Sequence, residues 1–89
     1  MKGYTFPEMV ANELQSARRK HRPINSVHEG YAVLLEEVEE FWEEVRKKRE
    51  NRNSDRMVEE LVQVATMAQR IAEDALRLPE ALIPQRGGR

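Results

Sequence analysis

The sequence contains no cysteine, which removes disulfide frameworks, thiolate metal sites and cysteine nucleophiles together. Any metal must then be held by oxygen or by histidine. The two histidines, His21 and His28, lack metal-ligand spacing to each other and read as surface or helix-end residues. Long hydrophobic runs are missing too: nothing approaches the roughly 18 apolar residues of a membrane span, and no signal-peptide segment follows Met1-Lys2-Gly3. The expectation is a cytoplasmic protein without a membrane partner. Neither sign of charge dominates, since the formal net charge is −1, so a nucleic-acid polymer is not an expected ligand. Aromatic residues make up only 6% of the 89 positions. A chain this short buries little over roughly 60% of its unfolded surface, which leaves no room for a large private core.

What the chain has instead is charge, 35% of its residues against about 25% in an average soluble domain. The charge is segregated: Arg18, Arg19, Lys20, His21 and Arg22 form one run, and glutamates form another. Thr5-Phe6-Pro7-Glu8 has the form of a capping box with proline in the first turn and predicts a first helix from Phe6 to Lys20. Phe6, Met9, Val10, Leu14 and Ala17 make its apolar stripe, and its basic end suits the helix dipole. Pro23 forbids continuation. Ser26-Val27-His28-Glu29 repeats the capping-box pattern and predicts a second helix to about Lys48. The polar stretch Arg49 to Ser54 suits a short turn between antiparallel helices. Ser54 or Asp55 is the expected cap of a third helix running to about Leu76, with the stripe Met57, Leu61, Val64, Ala68, Ile71 and Ala75. These elements predict one all-α domain over residues 1–78 and an irregular tail over 79–89, where Pro79, Pro84 and Arg86-Gly87-Gly88-Arg89 discourage a fourth helix.

The second helix contains LLEEVEEFWEEV, Leu34 to Val45, with six glutamates in twelve residues. At about 100° per residue, Tyr31, Leu34, Leu35, Val38, Phe41, Trp42 and Val45 fall within an arc of roughly 120°, the expected core stripe. Glu37, Glu40 and Glu44 gather on one flank. Taken alone this is a solvated face, because exposed glutamates are good helix formers. The third helix changes the reading. Glu60 falls only about 40° from the centre of its apolar stripe, so its carboxylate is expected to be partly buried. That position demands a cationic partner, a metal or a proton. The alternative to a metal is an ion pair with a lysine or arginine from the first helix or another subunit. Two helices joined by a short turn bring the pair Glu37 and Glu40 opposite the pair Glu60 and Gln63. Carboxylates about 5 to 6 Å apart repel by roughly 3 kcal/mol per pair at an effective dielectric near 20. A divalent cation relieves this, and all-oxygen ligands favour Mg2+, with Mn2+ as the other choice. Magnesium usually bridges carboxylates to substrate phosphates, so a phosphorylated ligand is expected.

Glu36-Glu37-Val38-Glu39-Glu40, followed by Glu60-Leu61-Val62-Gln63, resembles the paired E-E-x-x-E and E-x-x-D motifs of the MazG-like all-α nucleoside triphosphate pyrophosphohydrolases. The lead-in HEGYAVLLEEVEEFW is similar to short phage and bacterial members, and the likeness covers Ser26 to about Asp74. The resemblance implies a hydrolase that cleaves an NTP or dNTP to the monophosphate and pyrophosphate with magnesium. It implies Glu37, Glu40, Glu60 and Gln63 as the metal-binding set, with Glu36 or Glu40 as the base for the attacking water. It departs from the family pattern at Gln63, which stands where the second motif ends in aspartate. Lys47, Lys48 and Arg70, and the Arg18 to Arg22 run, are candidates for phosphate contact, although basic residues at helix ends also serve the dipole. Trp42 and Tyr31 could stack on a base, but their stripe positions favour core packing. Met57 and Met67 read as packing residues. Three short amphipathic helices do not easily bury both stripes, so a homo-oligomeric bundle, dimer or tetramer, is expected. The rival expectation is a non-catalytic helical oligomer or adaptor that binds nucleotide or a protein partner, and Gln63 favours it.

Overall fold

The computed structural model describes residues 3–80. Among them are three α-helices and no strand: α1 over Phe6–Lys20, α2 over Val27–Val45 and α3 over Ser54–Arg70. The all-α expectation holds. The tail beyond Glu80, with Pro84 and the Arg86–Arg89 segment, lies outside the described residues.

The caps explain most of the boundaries. Thr5 and Glu8 form the full reciprocal box, with the Thr5 N–H donating to Glu8 Oε1 at 2.9 Å and the Glu8 N–H to Thr5 Oγ1 at 3.3 Å. At α2 only half of the expected box forms. Ser26 Oγ accepts from the Glu29 N–H, but the Glu29 carboxylate turns to the Asn25 N–H instead. The expected end of α2 at Lys48 is corrected to Val45, and the reason is Glu44. Its carboxylate takes the Lys47 ammonium at 3.0 Å and the Asn53 N–H at 2.8 Å, folding the chain back at once into a single 3-10 turn, Arg49–Asn51. The cap of α3 is Asn53, one residue before the expected Ser54 or Asp55, with Asn53 Oδ1 accepting from the Arg56 N–H at 3.0 Å. The third helix continues through one π-helical turn, Ile71–Ala75. It closes with Arg77 at φ 66° and the Leu78 N–H on the Ala72 carbonyl, a left-handed stop one residue wider than a Schellman motif.

Helix α3 is the centre of the fold, packed against both α1 and α2. The π turn rests on the start of α2 and needs Gly30 there, because a Cβ at Gly30 would meet Ile71 Cγ1 at 2.6 Å. Among the described residues the buried apolar ones are few: Ala17, Ile24, Val62 and Met67.

The faces used for this packing differ from those the periodicity marks. On α3 the buried residues are Glu60, Val62, Thr66, Met67 and Arg70, while Leu61 and Ala68 of the expected stripe are exposed. At about 100° per residue the buried set is centred more than roughly 120° around the helix from that stripe. On α2 the buried positions are Gly30 and Glu44, and Tyr31, Leu35, Val38 and Trp42 of the expected core stripe stand 64%, 38%, 42% and 54% exposed. The expectation that Trp42 and Tyr31 pack in the core is therefore corrected for the protomer. Each long helix packs on the flank that carries its carboxylates and leaves its apolar stripe half out.

Candidate metal centre and adjoining cavity

That choice of face brings the carboxylates together. Glu37 sits half-buried on the flank α2 shares with Gly30 and Glu44, Glu60 is buried on α3, and Glu40 stands one turn beyond Glu37 at the exposed rim. One oxygen from each of the three lies within 4.8 Å of the other two. At that spacing each ionised pair repels by roughly 3 kcal/mol at an effective dielectric near 20.

Among the described residues, one cation pairs with this cluster. Arg56, one turn before Glu60 on α3, donates its Nε–H to Glu60 Oε2 at 3.0 Å. The ion pair weighed as the alternative to a metal thus exists, but it comes from Glu60's own helix, through an arginine whose side chain is 57% exposed. It leaves half of the carboxylate unserved, because Glu60 Oε1 is buried with no hydrogen-bond partner. Partial burial, with Glu40, Glu60 and Glu36 nearby, pushes the Glu37 carboxyl up to about 7. Burial, then the neighbouring Glu40, raises Glu60 as well, and Arg56 only partly offsets this.

The remaining glutamates of the acidic stretch separate from this group. Glu44 is buried but satisfied as the turn's clamp, and the Lys47 ammonium, followed by the Asn53 N–H, holds its carboxyl below the ordinary range. Glu43 pairs with Arg46 at 3.5 Å on the surface, and Glu36 and Glu39 are exposed.

Beside the cluster a cavity of about 450 Å3 opens between the three helices. Glu37 and Gln63 line it on the cluster side, Glu13 and Ala17 come from α1, and Thr66 and Arg70 from α3. Arg70 is only 6% exposed. Its Nη2–H donates to the Arg22 carbonyl at 3.0 Å and its Nη1–H approaches Met67 Sδ at 3.6 Å, while its Nε–H has no acceptor. Thr66 is 2% exposed, and its hydroxyl likewise has no partner.

Glu37, Glu40 and Glu60 of the expected set are thus brought together, and Gln63 shares a cavity wall with Glu37. Lys47 is committed to Glu44, and Lys48 is exposed at the start of the 3-10 turn. Arg18 is locked onto Glu73 and Asp74. The residues missed from the sequence are Arg56 and Thr66. The signal for Arg56 was its i, i+4 relation to Glu60. Thr66 follows Val62 by one turn, a polar residue on what proves to be the packed face. No protein-family model matches this chain, and no characterised protein or solved structure compared with it does so.

Proposed function

We propose that this chain is a divalent-cation-dependent nucleoside triphosphate pyrophosphohydrolase of the MazG-like kind, cleaving an NTP or dNTP to the monophosphate and pyrophosphate. The observation that carries the reading is Glu60: a buried carboxylate with one oxygen unpartnered, set against two more carboxylates and offered one largely exposed arginine. A fully anionic, oxygen-only donor set fits Mg2+ or Mn2+. Glu37, Glu40 and Glu60 would hold the ion, and Gln63, which shares a cavity wall with Glu37, would offer a neutral oxygen. When bound, the ion neutralises triphosphate charge and lowers the pKa of a bound water. Glu40 at the exposed rim, or Glu36, exposed beside Glu37 on α2, can accept the proton of the attacking water. Arg56, already at the cluster's edge, is placed to move from Glu60 to an incoming phosphate oxygen.

The assembly belongs to the proposal. The half-exposed stripe Tyr31, Leu35, Val38 and Trp42 repeats at i, i+4, i+7 and i+11, the spacing of a helix–helix seam. A second copy covering it makes a helical bundle, a homodimer or a tetramer. Val38→Lys is then expected to shift the molecular mass by light scattering toward the protomer, and an unchanged mass would count against this stripe as the seam.

Purified protein incubated with each NTP and dNTP plus Mg2+ tests the function. Monophosphate and pyrophosphate are the expected products, and diphosphate and phosphate would contradict the reaction class. The second reading, a non-catalytic nucleotide-binding oligomer or adaptor, draws on Gln63, whose amide adds no charge where the resembled motif has an acid. Nucleotide and Mg2+ binding without turnover would select it.

A further inference from the structure

We infer that the cavity between the three helices seats the nucleoside part of the substrate, and that Thr66 and Arg70 at its wall read a carbonyl or hydroxyl oxygen on that nucleoside. The inference deepens the pyrophosphohydrolase reading and rests on it for the identity of the ligand. Buried polar groups in folded proteins are almost always hydrogen-bonded, so an orphan signals a partner that arrives later. Two residues that line the cavity, Thr66 and Arg70, one turn apart on α3, each carry such an orphan just behind its wall: the Thr66 hydroxyl and the Arg70 Nε–H. Both can donate, so an acceptor oxygen that reaches this part of the wall has a donor to meet.

Charge decides which part of a nucleotide enters. Glu13, Glu29 and Glu37 line the cavity with Arg22 and Arg70, and most of the Arg70 guanidinium is already committed to the Arg22 carbonyl and Met67. A triphosphate carrying several negative charges is repelled from such a wall, whereas a neutral base and sugar are not. The phosphates then lie on the other side of Glu37 and Gln63, toward the carboxylate cluster. A volume of about 450 Å3 lies within the usual range for small-ligand sites, and Ala17, Ile24, Val33 and Met67 give it apolar surface for a base to rest on. The acceptor is either a base carbonyl or a sugar hydroxyl. A panel varying base and sugar separates the two.

The test uses calorimetry on the full chain, with Mg2+ present, to compare inorganic tripolyphosphate with non-hydrolysable α,β-methylene analogues of the common NTPs and dNTPs. At least one analogue is expected to bind ~10-fold or more tightly than tripolyphosphate. Thr66→Val should abolish that gain and leave tripolyphosphate affinity unchanged, while Thr66→Ser, which keeps the hydroxyl, should retain most of it. Thr66→Val also removes an orphan hydroxyl, so its Tm should match or exceed that of the wild type. On the wild-type chain, the same analogue should shift the amide resonances of Ala17, Ile24 and Met67. Analogues binding no better than tripolyphosphate, a gain that survives Thr66→Val, or shifts that map elsewhere would each overturn the cavity assignment while leaving the phosphate chemistry intact. Free nucleosides that bind at the cavity when tripolyphosphate and Mg2+ do not would support the cavity and sink the pyrophosphohydrolase reading.

Discussion

Apart from the Glu44 clamp, the described residues bury carboxylates in two places and treat them in opposite ways. At the π turn, Glu73 and Asp74 have side chains only 7% and 6% exposed, and Arg18 of α1 spans both at 2.6 and 2.9 Å. The other oxygen of Glu73 accepts from Gln69 Nε2 at 2.8 Å, and that of Asp74 from the Ile24 N–H at 2.9 Å. Every oxygen there has a donor. Between α2 and α3, Glu60 is as deeply buried, at 8%, and has a donor on one oxygen alone. Burial opposes ionisation of Asp74, but the Ile24 N–H and Arg18 outweigh it and hold its carboxyl below the ordinary range. Glu37 is pushed the other way, to about 7. A chain that neutralises one buried acidic pair this thoroughly has the means to neutralise another. The pair at the π turn is structural, and the deficit between α2 and α3 is what supports the proposed cation site.

The largest effect expected from breaking this contrast is on activity. Glu60→Gln or Glu37→Gln should lower turnover by about 100-fold or more, the scale of losing a metal contact or a general base, with little loss of Tm because each removes repulsion. Turnover that survives both changes would show that the cluster is not the site. Asp74→Asn should do the reverse. It leaves Arg18 and the Ile24 N–H poorly served and should cost about 2 kcal/mol of stability, read by denaturant unfolding, with the Mg2+ requirement unchanged.

The pH dependence separates the two regions next. Between its ordinary value of 4.5 and about 7, folded Glu37 keeps a proton that the unfolded chain has lost. Its contribution to stability is therefore present at low pH and declines as pH rises through that window. Asp74, with its carboxyl lowered, contributes above the ordinary carboxylate range and loses that contribution as pH falls through its folded value. Without metal, Tm should fall from about pH 5 to about pH 7, and Glu37→Gln should flatten that limb. Mg2+, which favours the ionised cluster, should raise Tm most above pH 7. The smallest effect is expected from Gln63→Asp, which adds the acid the resembled motif carries. It should tighten Mg2+ binding several-fold by calorimetry and lower the metal-free Tm slightly, through added like-charge repulsion.

How much of this was legible from residues alone follows from what sets each feature. The three helices and the cap at Thr5 were readable because local spacing and side-chain bonding determine them. The cluster Glu37, Glu40 and Glu60 was readable because i, i+3 spacing and a short turn constrain two helices strongly. The packing faces were not. Periodicity marks the most apolar stripe, and a protomer that turns this stripe outward and packs on the flank bearing Glu37, Glu44 and Glu60 violates the usual equation of apolar with inside. The end of α2 at Val45 depends on Glu44 reaching the Asn53 N–H, a contact nine residues away. The partnering of Arg18 with the π turn depends on residues 55 and 56 positions apart, which no local pattern announces.

The measurement that bears most directly on the cation deficit is calorimetric titration of Mg2+ into the wild-type chain, Glu60→Gln and Asp74→Asn at pH 8, without nucleotide. Saturable binding to the wild type and to Asp74→Asn, lost or weakened at least about 10-fold in Glu60→Gln, is the predicted result. No Mg2+ or Mn2+ binding by the wild type, or equal binding by Glu60→Gln, would contradict the account and leave Arg56 as the partner of Glu60 among the described residues.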